Sequence, residues 1–255
     1  MFINNLSCSI YSQYSPIYKV LCWYAYICTN QFIPFQLILF LAHKVSLSKC
    51  KVVKKIPCYS VSEKPTGELL LSGNGGFSVI GKDGRATARI NTSDTLFTGI
   101  QLYDDRIYIL SVGDETDGYQ REVLVFESSG YYSEVESWSV PAREGICGIA
   151  VINDKVYVPD GKQLCVFSLT GTLITKIKHS SFSSLEYLSP SPPESIIISD
   201  CEAEQVHKFN CKEKEITWTC SDVKEPKGVC CSNTGDVWVW SDITSSLNLL
   251  SSDSG

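Results

Sequence analysis

Three aspartates, Asp160, Asp200 and Asp242, recur at steps of 40 and 42 residues, each at the end of a short apolar run. Carboxylates repeated at one place in successive units and converging on an axis would suit a hard cation such as calcium. Aspartate at the end of a strand is also ordinary turn chemistry, because its side chain bonds nearby backbone N–H groups. The turn reading is the simpler one, and no metal is expected. The three histidines, His43, His179 and His207, are too few and too scattered for a zinc centre. Twelve cysteines contain no C-x-x-C pair. Several (Cys147, Cys165, Cys230, Cys231) lie inside strand-like runs, where a thiol acts as a small buried apolar group. Reduced thiols favour a cytoplasmic location. No G-x-S-x-G or H-E-x-x-H motif occurs. The cluster Gly73-Asn-Gly-Gly76 is not followed by Lys-Ser/Thr and reads as a hairpin turn rather than a phosphate cradle. The expectation is a chain without enzymatic activity and without a cofactor.

Charge divides the 255 residues unevenly. Residues 1–56 hold six lysines and no acid, which leaves 16 of the 22 basic residues against all 28 acids in the remainder. An acidic body is a poor partner for phosphate backbones, so RNA is the less favoured ligand. Residues 1–50 form a hydrophobic leader unlike the rest of the chain. Its stretch from Val20 to Ala42 has no formal charge and is long enough to cross a bilayer as a helix. Asn30, Gln31, Pro34 and Gln36 interrupt it. Immediately after it, His43, Lys44, Lys49 and Lys51 would leave the remainder in the cytosol. A membrane anchor and an extraneous leader are both open readings.

From residue 51 onward the chain is built of short β-branched and aromatic runs bounded by Asn, Asp and Gly, the signal for strands and hairpins. The stretch Gly148–Lys178 shows four of them in succession. Phe126, Phe167, Phe209 and Leu250 occupy one place in successive units, at steps of 41, 42 and 41. A period of 40–45 residues with four strands per unit predicts an all-β propeller of about five blades, in units of about 51–95, 96–142, 143–180, 181–221 and 222–255. A sandwich has no reason to repeat its turns at a constant interval. The last unit lacks a fourth strand. Either Lys51–Ile56 supplies it by pairing beside Leu247–Leu250, or the ring is open.

Gly148-Ile-Ala-Val, a polar turn, Val156-Tyr-Val-Pro-Asp160 and a Val-Phe strand ending at Gly171 are echoed by Pro226–Asp242. This pattern resembles the NHL repeat, most closely the diverged propellers of tripartite-motif (TRIM-NHL-like) proteins of invertebrates. The resemblance implies a substrate-recruiting module of a ubiquitin-pathway protein, here without the RING, B-box and coiled coil that precede it in that family. Some relatives of that kind bind RNA, and some propellers of related shape are hydrolases or lactonases.

In four-stranded blades the loops between second and third strands share a face with the loops between blades. Here that face carries Asp114, Glu115, Asp117, Glu144, Asp160, Asp200, Glu202, Glu204, Asp222, Glu225 and Asp242 against Arg121, Arg143, Lys162, Lys224 and Lys227. Eleven acids against five bases point to a protein partner, a neutral or basic peptide segment.

Overall fold

The computed structural model describes residues 20–25, 36–41, 52–113, 115–141, 147–232 and 235–250. Among the described residues, apart from a 3-10 turn at Glu115–Asp117, the regular elements are all strands. They are β1 Val20–Ala25, β2 Gln36–Leu41, β3 Val52–Pro57, β4 Ser60–Glu63, β5 Leu69–Ile80, β6 Ala86–Tyr103, β7 Arg106–Val112, β8 Arg121–Glu127, β9 Glu134–Val140 and β10 Ala150–Ile152. Next come β11 Lys155–Asp160, β12 Gln163–Ser168, β13 Leu173–Lys178, β14 Leu185–Ser191, β15 Ser195–Asp200, β16 Gln205–Asn210, β17 Glu215–Cys220, β18 Pro226–Cys231, β19 Val237–Ser241 and β20 Ser246–Leu250. Strands pair with their sequence neighbours in antiparallel order throughout. The third blade is β10–β13, the fourth β14–β17 and the fifth β18–β20.

Local chemistry explains the turns. Asn153 and Asp154 both take positive φ (51° and 57°) between β10 and β11, as a two-residue hairpin with right-handed twist requires. Gly161 and Gly171 turn the chain out of β11 and β12 in the same left-handed region.

Packing follows the two-residue period of the strands. In β7, Ile107 and Ile109 join Phe77, Phe97 and Phe126 on one side, while Tyr108 and Leu110 join Val156, Val158 and Phe167 on the other. In β11, Val156 and Val158 face that second cluster and Tyr157 faces the next one, with Ile196, Ile198 and Phe209. In β15, Ile197 turns the opposite way from Ile196 and Ile198 and meets Val237 and Val239. Each second strand is therefore buried on both faces, and each blade supplies the cover for its neighbours. Phe126, Phe167, Phe209 and Leu250 all point at the preceding blade. Their constant spacing reflects one place in the radial packing, and the propeller expected from it is present.

The first two blades depart from the expected units. Residues 69–80 form one strand, so Gly73–Gly76 is not a hairpin turn but an irregularity within β5, whose register shifts between Asn74 and Gly76. The glycine serves close approach: a Cβ on Gly76 would lie 1.9 Å from the Ile90 carbonyl oxygen. Strand β6 runs through the boundary expected near residue 95, so blades one and two share it in a six-stranded sheet, β4-β5-β6-β7-β8-β9. The polar run Asn91–Thr95 stays extended because Gly76 and Asn74 pair with Asn91 and Leu96 across the ladder.

The leader also differs. Where described, the bilayer-length stretch is two strands, β1 and β2, and among the described residues no helix is long and apolar enough to cross a membrane. Strand β3 pairs with β2, so the boundary drawn at residue 50 falls inside a three-stranded sheet. The closure expected through Lys51–Ile56 is not seen among the described residues, where β3 pairs with β2 alone and β20 with β19 alone.

Inner strands of adjacent blades approach closely. Gln101 in β6 donates from Nε2 to the Val151 carbonyl (2.7 Å) and accepts from the Val151 N–H (2.8 Å). A Cβ on Gly148 would stand 2.8 Å from the Leu188 nitrogen. Gly148→Ala is expected to force blades three and four apart and to lower unfolding free energy by about 1–3 kcal/mol, the usual cost of overpacking. Urea denaturation checks this, and an unchanged midpoint would contradict so close an approach.

Candidate functional site

The loops between second and third strands lock onto the loops between blades. The Leu185 N–H donates to the Gly161 carbonyl at 2.9 Å, and the Cys201 N–H to the Ser184 carbonyl at 3.1 Å. The Asp242 N–H donates to the Glu225 carbonyl at 3.2 Å. The Cys201 thiol reaches the Pro226 carbonyl at 2.7 Å. Lys224 joins Glu204 across the same rim. The two loop sets expected on one face do share it.

Within this rim the predicted residues separate into three groups. Asp114, Arg143 and Glu144 lie outside the described residues, as does the side chain of Glu115, whose backbone forms the 3-10 turn. Asp117, Glu202 and Asp222 are exposed. The three recurrent aspartates turn inward to differing degrees. Asp160 accepts from Gln163 Nε2 at 2.6 Å and from the Cys165 thiol at 3.7 Å. Asp200 is fully buried and accepts three backbone N–H groups, those of Ser183 (2.6 Å), Ser184 (2.8 Å) and Ala203 (3.2 Å). It holds two loops together and presents no oxygen to solvent. Asp242 has one oxygen, Oδ1, that is out of contact with solvent and accepts no hydrogen bond. Asp160 and Asp200 thus serve their turns, while in blade five the same strand-end place is held by Ser241, whose Oγ accepts the Thr244 N–H at 3.4 Å. Among the described residues no group of three or more His, Cys, Asp or Glu is placed to hold a metal ion.

Sequence reasoning missed the groups that bind the rim from within. Arg121, one of the five loop bases, is 1% exposed. Its Nε donates to the Pro141 carbonyl (2.9 Å) and its Nη2 to the Pro159 carbonyl of the next blade (2.8 Å). Lys227 and Glu186 pair at 2.9 Å between the inner strands of blades five and four. Burial alone would lower the Lys227 ammonium, yet Cys201, Glu186 and Asp242 hold it above the ordinary lysine range. His207 is fully buried, its Nδ1 3.0 Å from Thr219 Oγ1 and its Nε2 4.0 Å from Asp200 Oδ2. The one sequence signal for these groups was a charged or titratable residue inside an otherwise apolar run, as in Val206-His-Lys-Phe209.

The same placements limit chemistry. Burial pushes the Cys165 thiol up to about 11, aided by Asp160, and it pushes Cys201 up as well. Thiols held protonated are weak nucleophiles. Cys165, Cys201, Cys211, Cys220, Cys230 and Cys231 form no disulfide.

No family model matches this sequence, and no curated protein matches it. Solved structures do. The chain is similar to a protein of unknown function from Bacteroides caccae, with TM-score 0.66 and 13% identity over 85% of this chain and 86% of that one. It is similar to the WD40 β-propeller domain of Doa1, with TM-score 0.60 and 11% identity over 93% and 85%. It is also similar to a glutaminyl cyclase from Myxococcus xanthus, with TM-score 0.53 and 12% identity over 76% and 91%. At such identities the likeness shows the propeller fold alone. A WD40 domain and an enzyme stand together in that set, so the fold does not choose between binding and catalysis.

The buried imidazole gives a pH signature. Burial, with a smaller contribution from His179, pulls His207 below the ordinary histidine range although Asp200 opposes this. The unfolded chain therefore binds this proton at a higher pH than the folded one. Stability is full above about pH 6.5, the unfolded value, and falls as pH drops from there toward the folded value. His207→Gln is expected to flatten that part of the stability curve in denaturant titrations at pH 5–8. An identical slope in both proteins would rule this origin out.

Proposed function

We propose that this protein is a non-enzymatic protein-interaction propeller that recruits a neutral or basic peptide segment on its acidic rim. The observation that carries this reading is the use made of the polar groups. Asp160, Asp200 and Arg121 have their bonding at the loop ends, whereas Glu202 and Asp222 stand exposed on the surface. A rim stiffened by blade-to-blade hydrogen bonds and fringed with carboxylates is preorganised for a complementary cation-bearing partner. The NHL-like pattern of residues 148–171 and 226–242 supports a role like the substrate-recruiting end of tripartite-motif proteins, exercised in the cytoplasm as an adaptor.

The test is a binding screen of the full-length protein against basic, neutral and acidic peptides and against single-stranded RNA, at 50 and 500 mM salt. Basic peptides are expected to bind best, with affinity falling as salt rises. The double variant Glu202→Lys, Asp222→Lys is expected to slow association about tenfold while leaving the melting temperature nearly unchanged. Preferential binding of RNA, or turnover of a substrate by the purified protein, would overturn the reading.

A further inference from the structure

Four apolar clusters join the five blades to one another, and they leave two apolar faces over. In blade one, Leu70, Phe77 and Val79 face blade two. Leu69 and Leu71 flank Leu70 along β5 and so stand on the opposite face, and Ile80 alternates with Val79 in the same way. Leu69, Leu71 and Ile80 are 4%, 2% and 1% exposed, yet none of them belongs to a cluster between described blades. In blade five, Val237 and Val239 face blade four. Trp238 and Trp240 alternate with them and look the other way. Trp240 is 4% exposed and Trp238 is half-buried. At the place of Trp238, blades three and four carry Tyr157 and Ile197, and each of these is covered by the blade that follows. Both end faces of the five-blade series are thus apolar and largely shielded, and among the described residues neither shares a cluster with another blade.

The N-terminal sheet has the build of a blade. Strands β1, β2 and β3 are six residues long and pair antiparallel in chain order, as β15, β16 and β17 do. From Val20 to Pro57 they occupy about one unit, close to the steps of 40 and 42 residues that separate Asp160, Asp200 and Asp242. The sequences Val-Leu-Cys-Trp-Tyr-Ala and Gln-Leu-Ile-Leu-Phe-Leu carry no charge and are apolar at both sets of alternate positions. That is the composition of strands covered on both faces. The likeness to the WD40 domain of Doa1 extends over 93% of the chain, a larger share than residues 51–255 make up, so it takes in part of residues 1–50.

We propose that residues 20–57 form a sixth blade, seated between blade five and blade one, and that this sheet closes the ring. Chain order sets it beside blade one, and the circle brings its other face to blade five. One face covers Leu69, Leu71 and Ile80, and the other covers Trp238 and Trp240. Standing apart, the sheet would leave two apolar faces in water and the end blades one each, and a single insertion removes all four. The uncharged stretch long enough to cross a bilayer is then spent on propeller core, and the acidic rim is carried by a closed ring.

The test reads β2, the central strand of that sheet, in the full chain. Amide exchange of Gln36–Leu41 in lipid-free buffer is expected to be as slow as that of Ser195–Asp200 in blade four. Ile38→Lys and Leu39→Lys set a charge on opposite faces of the strand. Each is expected to lower the melting temperature by about 5 °C or more. Hydroxyl-radical footprinting should show one of them raising the oxidation of Trp240 several-fold and the other that of Leu71 and Ile80. Ile38→Ala and Leu39→Ala repeat the measurement should a lysine prevent folding. The proposal is overturned if the β2 amides exchange as in an unstructured chain, or slow only when phosphatidylcholine vesicles are added, the result of a membrane-seated segment. It is overturned equally if the folded variants leave Trp240, Leu71 and Ile80 as unreactive as in the wild type, the result of blades five and one meeting directly.

Discussion

The structure depends on reciprocal cover between radially placed sheets. A blade of four short strands has two apolar faces and cannot bury either by itself. Ile107 and Ile109 need Phe77 and Phe97 on one side, and Tyr108 and Leu110 need Val156 and Val158 on the other. At about 1.5–3 kcal/mol for each large aliphatic or aromatic side chain buried, one such interface outweighs any hydrogen bond in the rim. The blades therefore stand or fall together, and the polar network is a consequence of where this packing brings the loop ends.

That constraint shapes what the loops do. Once adjacent blades are held at packing distance, the loop after β11 meets the start of β14, and the loop after β15 meets the start of β18. Most buried polar groups in this crowded rim find partners, Asp242 Oδ1 being an exception. Asp200 gathers three N–H groups, Arg121 takes the carbonyls of two prolines, and Lys227 pairs with Glu186. Side chains of catalytic type are thereby employed in construction. Asp117, Glu202 and Asp222 are left exposed on the outside.

Much of the architecture was legible in the residue order. Phe126, Phe167, Phe209 and Leu250 are evenly spaced because each fills the same gap between blades, and Asn153-Asp154 makes a turn that few other pairs can make. What misled was local: Gly73–Gly76 looks like a turn but serves the passage of β6 past β5, where a Cβ would strike Ile90. Asn91–Thr95 looks like a linker but is held straight by pairing partners on β5. Turn-forming residues permit a reversal without compelling one, and the ladder decides.

The sequence by itself determined the strand period, the repeat length and hence the propeller, because side-chain alternation and turn chemistry act over a few residues and recur with each unit. It also holds the excess of acids over bases in the loop segments. The tertiary structure alone decided which charges remain outside and which strand partners which. Asp200 and Asp222 are the same residue type in neighbouring loops of blade four, yet one is sealed inside and the other is exposed. Likewise Val52–Ile56 reads as a strand that could pair with the last blade, yet among the described residues its partner is β2. Burial and pairing depend on neighbours far away in the chain, so no local pattern can encode them.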